Sequence, residues 1–239
     1  MSSSESDDRA FIERSVRLAI IAATAIGAVL GALWLLKGAL TPLALALVVA
    51  YLFDPLIDRF EARGVVFFDH EEVGSRSTSG AQGPLLAETL ERIANGAKGA
   101  GSDALARAVA RSVLVSTDMA HAVHPSFPDK HDPAHRPQIG AGPVIKHNAS
   151  QAYASDARTA GMFADLCARA GVTPQYFVSR SDIGCGSTIG PISAARVGMP
   201  TVDVGNPMLS MHSCREMAGA ADVAPMIDVL ALFLSEGGG

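Results

Sequence analysis

From residue 18 to residue 36 the chain carries no charged side chain, and Lys37 alone separates that run from a second apolar one at 38–53. A helix over the first run is long enough to cross about 30 Å of hydrocarbon. The second is shorter and spans only with local thinning of the bilayer or with help from Tyr51, Leu56 and Ile57. A cleaved secretory signal fits less well, although Arg9, Arg14 and Arg17 precede the run. The run outlasts a typical signal core, and another follows it directly. Arg17 lies before the pair and Arg59 and Arg63 after it, against Lys37 in the turn, so the positive-inside rule puts both ends in the cytoplasm. The pattern predicts a transmembrane helix hairpin that meets the membrane through residues 18–53, with a cytoplasmic, membrane-anchored remainder.

The hairpin accounts for a hydrophobic fraction of 49% and a mean hydropathy of +0.26, both high for an ordinary soluble chain of 239 residues. Three cysteines, Cys167, Cys185 and Cys214, are an odd number without paired spacing, which suits reduced thiols rather than a disulfide framework. The net charge of -5 is spread along the chain with no basic block. That distribution excludes nucleic acid as a partner.

Beyond residue 64 the signals alternate between strand and helix. Residues 65–68 are a short β run ending at Asp69, and 84–93 place Leu85, Leu86, Leu90 and Ile93 on one helical face. A Gly-rich break at 95–101 precedes a helix that Asp103 can cap, and 112–116 form a buried strand that delivers Asp118. Residues 125–143, rich in Pro, His and Gly, are expected to be loop. Helices follow at 156–170, 188–197 and 222–235, with strands at 176–179 and 201–204. Alternation of this kind predicts an α/β fold with a parallel or mixed sheet and helices on both faces. The predicted division is a hairpin segment over 1–64 and a catalytic domain over 65–239.

The candidate chemistry lies at predicted strand ends, where open sheets gather their ligands. Adjacent glutamates point in different directions, so of Glu71 and Glu72 one can bind a metal while the other reaches a metal-bound water as general base. An isolated Glu-Glu pair is ordinarily just a solvated loop face. Here it has an apolar run before it, a tight Val-Gly-Ser turn after it, and further hard ligands at comparable places. Asp118 ends a buried run and is as well suited to capping a turn. His121 and His124, three apart, fit metal binding, carboxylate binding or a core hydrogen bond, and His212 is equally open when taken singly.

Five blocks together resemble one family. They are Asp69-His70-Glu71-Glu72 with its flanks at 68–75, the Asp118 to His124 segment at 116–125, residues 146–153, residues 181–191, and Met211-His212-Ser213 with its continuation to Glu216. In order and spacing they are similar to the aspartyl aminopeptidases, di-zinc exopeptidases that remove acidic N-terminal residues. The resemblance implies an αβα sandwich of zinc exopeptidase type, incomplete here. It also implies Glu71 as general base, Glu72 and His212 as ligands of one zinc, and Asp118 as a ligand of the other. His121, Lys146 and Tyr153 would hold a peptide substrate with an acidic N-terminus, and homo-oligomers are usual in the family. Ser126 and Ala152 depart from the family's common Asn and Arg. One zinc-binding His and the bridging Asp, which the family carries in a long portion before the Glu-Glu block, have no counterpart here, so weakened activity is expected.

Residues 1–64 resemble instead the start of the autoinducer-2 exporter-like permeases. The change at 64–66 comes without the flexible polar linker of a tether, which suits a recombined or misassembled reading frame. The competing expectation is therefore a non-catalytic membrane hairpin protein.

Overall fold

The computed structural model describes residues 63–97 and 101–236, together with Thr24, Ile26 and Gly27. The chain divides into two units, Met1–Ala62 and Arg63–Gly239, and the elements below belong to the second. Residues 18–53, expected as the membrane hairpin, lie outside the described residues apart from those three. Among the described residues no helix is long and apolar enough to cross a membrane.

The second unit contains helices α1 (Leu85–Gly96), α2 (Ala104–Ala110), α3 (Ala157–Arg169), α4 (Ile189–Val197) and α5 (Val223–Glu236). Its main sheet has the order β1 (Leu114–Thr117), β5 (Thr201–Gly205), β3 (Val144–His147), β4 (Gln175–Val178). β1 runs parallel to β5 and β3 parallel to β4, while β3 and β5 are antiparallel. A small sheet joins β2 (Ala120–His121), β6 (Pro207–Leu209) and β7 (Met217–Ala218), with β2 parallel and β7 antiparallel to β6. The fold is mixed α/β.

β5 explains the layering. All five of its residues are buried, as expected of a central strand covered on both faces. Successive side chains of a strand point to opposite faces, and here the two faces differ. Val202 and Val204 join Ile145, Phe163, Leu166, Cys167, Met226 and Val229 in a core under α3 and α5. Asp203, between those valines, meets α4 instead, where a Cβ on Gly190 would fall 2.2 Å from its carboxylate. Helices therefore lie on both faces of the main sheet.

α3 starts where its sequence says it should. Asp156 accepts from the Thr159 N–H at 2.7 Å, and the Thr159 hydroxyl accepts from the Asp156 N–H at 3.1 Å, a reciprocal capping box. Asp222, fully buried before α5, accepts from the N–H groups of Gly140 and Gly142 at 2.7 and 2.8 Å and so pins the long 125–143 loop to the core.

One expectation is corrected. Residues 65–68, read as a strand, are irregular, and Phe67 is 86% exposed. A short run of β-branched and aromatic residues does not make a strand where, among the described residues, no neighbouring strand supplies the ladder. The Glu71–Val73 turn is therefore not delivered by a strand. Conversely, β3 and all of the small sheet arise where no strand was expected.

Phe163 is completely buried at the centre of the main core. Phe163→Ala is expected to lower unfolding free energy by about 3–5 kcal/mol through lost burial and the cavity left behind. The check is a lower urea midpoint with an unchanged slope.

Candidate metal centre

Glu71 and Glu72 begin a single 3-10 turn, Glu71–Val73, between His70 (φ 60°) and Gly74 (φ 99°), both left-handed. The turn closes on itself through Gly74 N–H to Glu71 O at 2.9 Å and Ser75 N–H to His70 O at 2.8 Å. His212 also has a left-handed backbone, φ 65°, just past β6. Its N–H donates to Glu216 Oε1 at 2.6 Å. These two turns bring His212 Nε2 to 3.1 Å from Glu72 Oε2, with both side chains largely open to solvent.

Asp118 lies between β1 and β2, where the chain crosses from the main sheet to the small one. Its N–H donates to Val204 O at 3.0 Å, and its Oδ1 accepts from the Met119 N–H at 2.7 Å. The crossing is tight, because a Cβ on Gly205 would fall 1.6 Å from the Asp118 carbonyl oxygen. Glycine is required there by contact with backbone rather than by an unusual dihedral.

Lys146, in the middle of β3, is 1% exposed. Its Nζ donates to the carbonyls of Asp118 and Met119, both at 3.3 Å, stands 3.6 Å from Asp118 Oδ2, and lies 5.1 Å from the centre of the Tyr153 ring. Burial lowers its pKa, and Asp118 and Asp203 oppose that shift. Tyr153 is itself buried, packs edge-on to Phe177 at 6.1 Å, and has its phenol pKa raised first by burial and then by a hydrogen bond with Cys185. His121, on β2, keeps one flank open to solvent while its ring leans towards Phe177 at 6.1 Å. Loss of water on that side lowers its pKa, and the charges of His131, Lys146 and His212 act in the same direction.

Glu71 is the group on which the charges converge. Partial burial raises its pKa, Asp118 and Glu72 raise it further, and His212 and Lys146 act against them. A carboxylate so placed is a better proton acceptor than a solvated one. The geometry thus pairs Glu72 with His212 and Asp118 with Lys146, and puts Glu71 in the field of all four. Among the described residues, no three His, Cys, Asp or Glu side chains are arranged as a ready cage for a metal ion.

The family model for aminopeptidase I zinc metalloproteases (M18) matches residues 45–234. The chain belongs to this family. Probable M18 family aminopeptidase 2 of Mycobacterium tuberculosis is 53% identical over 171 residues, which are 72% of this chain and 39% of that protein. Among solved structures, Ape4 in its complex with Nbr1 is 43% identical at a TM-score of 0.67 and covers 70% of this chain and 31% of that one. The S. cerevisiae mApe1 dodecamer is 30% identical at a TM-score of 0.64 and covers 72% and 37%. The chain spans about two fifths of the length of the curated M18 relatives it matches. The match begins at residue 45, inside the stretch read as permease-like, and the comparisons lend that second resemblance no support.

The M18 name implies zinc, and the donors fit that ion in kind. A carboxylate and an imidazole already in contact, Glu72 and His212, are ordinary zinc ligands. Glu71, Glu72 and Asp118 also form an anionic cluster that raises the pKa of Glu71, and a bound cation would relieve it.

Asp203 is the residue that sequence reasoning missed. Fully buried, it accepts from Ala154 N–H at 2.6 Å and the Thr188 hydroxyl at 2.8 Å, and its own N–H donates to Ser155 Oγ at 2.9 Å. It thereby fixes the Tyr153 turn and the start of α4. An acidic residue inside the apolar run 201–205 was the available signal, because a buried carboxylate has to be paid for by partners. Asp203→Asn replaces one acceptor oxygen with donors facing an N–H or O–H. Unfolding free energy is expected to fall by about 1–3 kcal/mol, and an unchanged denaturation midpoint would show that the clasp does not hold the two segments.

Proposed function

We propose that this chain hydrolyses the N-terminal residue from peptides, with preference for Asp or Glu at that position. One observation carries the reading: Glu71, its pKa raised by partial burial and then by Asp118 and Glu72, stands beside the Glu72–His212 pair. Membership of the M18 family and the five sequence blocks support it.

Zinc held by Glu72 and His212, with Asp118 directed to a second ion, would supply Lewis-acid polarisation and a water of lowered pKa. The chain's own residues do the rest. Glu71 takes the proton of the attacking water on a carboxylate oxygen and hands it to the departing amine. His121, the solvent-facing member of the substrate-holding set, meets the N-terminal residue. Lys146 and Tyr153, both buried, form the floor beneath it and keep Asp118 in place through the Lys146 contacts. Homo-oligomerisation is part of the same proposal, by extension from the S. cerevisiae relative solved as a dodecamer.

Activity should be weak relative to a fully built two-metal site. Catalytic zinc generally takes three protein ligands, whereas the residues assigned here give one ion two groups and the other a single carboxylate already 3.6 Å from Lys146. Purified chain loaded with zinc and dialysed is therefore expected to retain closer to one equivalent than two. Hydrolysis of Asp- or Glu-terminated peptides should disappear on chelation and return with zinc. Glu71→Gln should lower kcat by about 100-fold or more with zinc content unchanged. Equal turnover by Glu71→Gln would remove Glu71 from the role of base.

A further inference from the structure

A cavity of about 350 Å³ opens beside Glu71, and Ser75, Arg76, Gln82, Ser187 and Thr188 also line it. That volume is within the range of small-ligand sites. The cavity shares the proposed general base, yet its lining includes none of His121, Lys146 and Tyr153, the residues proposed to hold the N-terminal residue. Glu71 delivers its proton to the departing amine, so space that adjoins Glu71 away from those three is where the peptide beyond the scissile bond lies.

Arg76 gives this space a chemical preference. It is the one cationic residue among the described residues that line the cavity, it is exposed, and it has no ion-pair partner among the described residues. The turn that precedes it is held in place. Neighbouring Ser75 is buried, Gln82 N–H donates to Ser75 O at 3.1 Å, and Gln82 Nε2 donates to Gly74 O at 2.9 Å. Lys146, by contrast, is buried and occupied by Asp118 and Met119. A guanidinium with free donors binds a carboxylate through charge-assisted hydrogen bonds. Glu71 in the same lining repels one, so without Arg76 the cavity favours a neutral group.

We propose that this cavity receives the second residue of the substrate and that Arg76 makes it selective for a carboxylate there, whether the side chain of that residue or the C-terminus of a dipeptide. The proposal rests on the aminopeptidase reading above. It is tested with the full chain, zinc-loaded and carrying Glu71→Gln to prevent turnover, by calorimetric binding of Asp-Glu-amide, Asp-Gln-amide, Asp-Ala-amide and Asp-Ala with a free C-terminus. Asp-Glu-amide is expected to bind roughly three- to fivefold more tightly than Asp-Gln-amide, the range of an exposed ion pair. Arg76→Gln should erase that ratio and Arg76→Lys should keep most of it. The free-acid and amide forms of Asp-Ala show whether a C-terminal carboxylate is read as well as a side chain. Equal binding of Asp-Glu-amide and Asp-Gln-amide, or a ratio that survives Arg76→Gln, overturns the cavity assignment alone. If no Asp-terminated peptide binds, the aminopeptidase reading falls and takes this inference with it.

Discussion

The described structure depends on one buried carboxylate in its central strand. Asp203 has valines on either side, and both of those face the core beneath α3 and α5. Its own side chain goes to the other face, where Thr188, Ala154 and the bare Cα of Gly190 surround it. A charge in that position is tolerable when each of its oxygens has a donor and a cation acts on it from nearby. Thr188 and Ala154 satisfy the first condition, and Lys146, whose burial lowers its pKa against the pull of Asp118 and Asp203, satisfies the second. The same carboxylate thus fixes the turn bearing Tyr153 and the entry to α4, and it acts on the lysine beneath Asp118.

This arrangement separates two kinds of positive charge around the site. Lys146 is structural in its immediate contacts, since two carbonyls and a carboxylate already occupy its ammonium. Its long-range effect remains, because burial weakens the screening that water gives to an exposed cation. It pulls against the carboxylates that raise Glu71. His212 opposes the same shift from the solvent side. The basicity of Glu71 is therefore set by partial burial and by a balance between two carboxylates and two basic groups.

Much of this was legible in the sequence where local chemistry and global fold agree. α3 announces itself through Asp156 and Thr159, and β1 through the short β-prone run at 112–116 that delivers Asp118. The candidate residues were found through the conjunction of blocks, since none of Glu71, Asp118 or His212 is diagnostic alone. β3 was hidden because Lys146 interrupts its apolar pattern, and only residues far away in sequence, Asp118 and Asp203, make that lysine tolerable inside. The strands of the small sheet have two or three residues each, too few for any periodicity to register. Residues 65–68 failed in the opposite direction, because composition favoured a strand for which the described residues supply no partner.

β1 leads into β2 at Asp118, and β5 leads into β6 at Asn206, so both connections change sheets at the same level. The seam runs through the candidate centre. Asp118 and Lys146 belong to the long-stranded side, whereas His212 hangs from the end of β6, whose outer neighbour β7 is exposed. Short ladders with solvent-facing bonds open at a smaller free energy than buried ones. Amide exchange should therefore be fastest on the His212 flank and slowest at β5. The Glu72–His212 half of the candidate centre would then be the half that breathes, while the Asp118 half stays fixed.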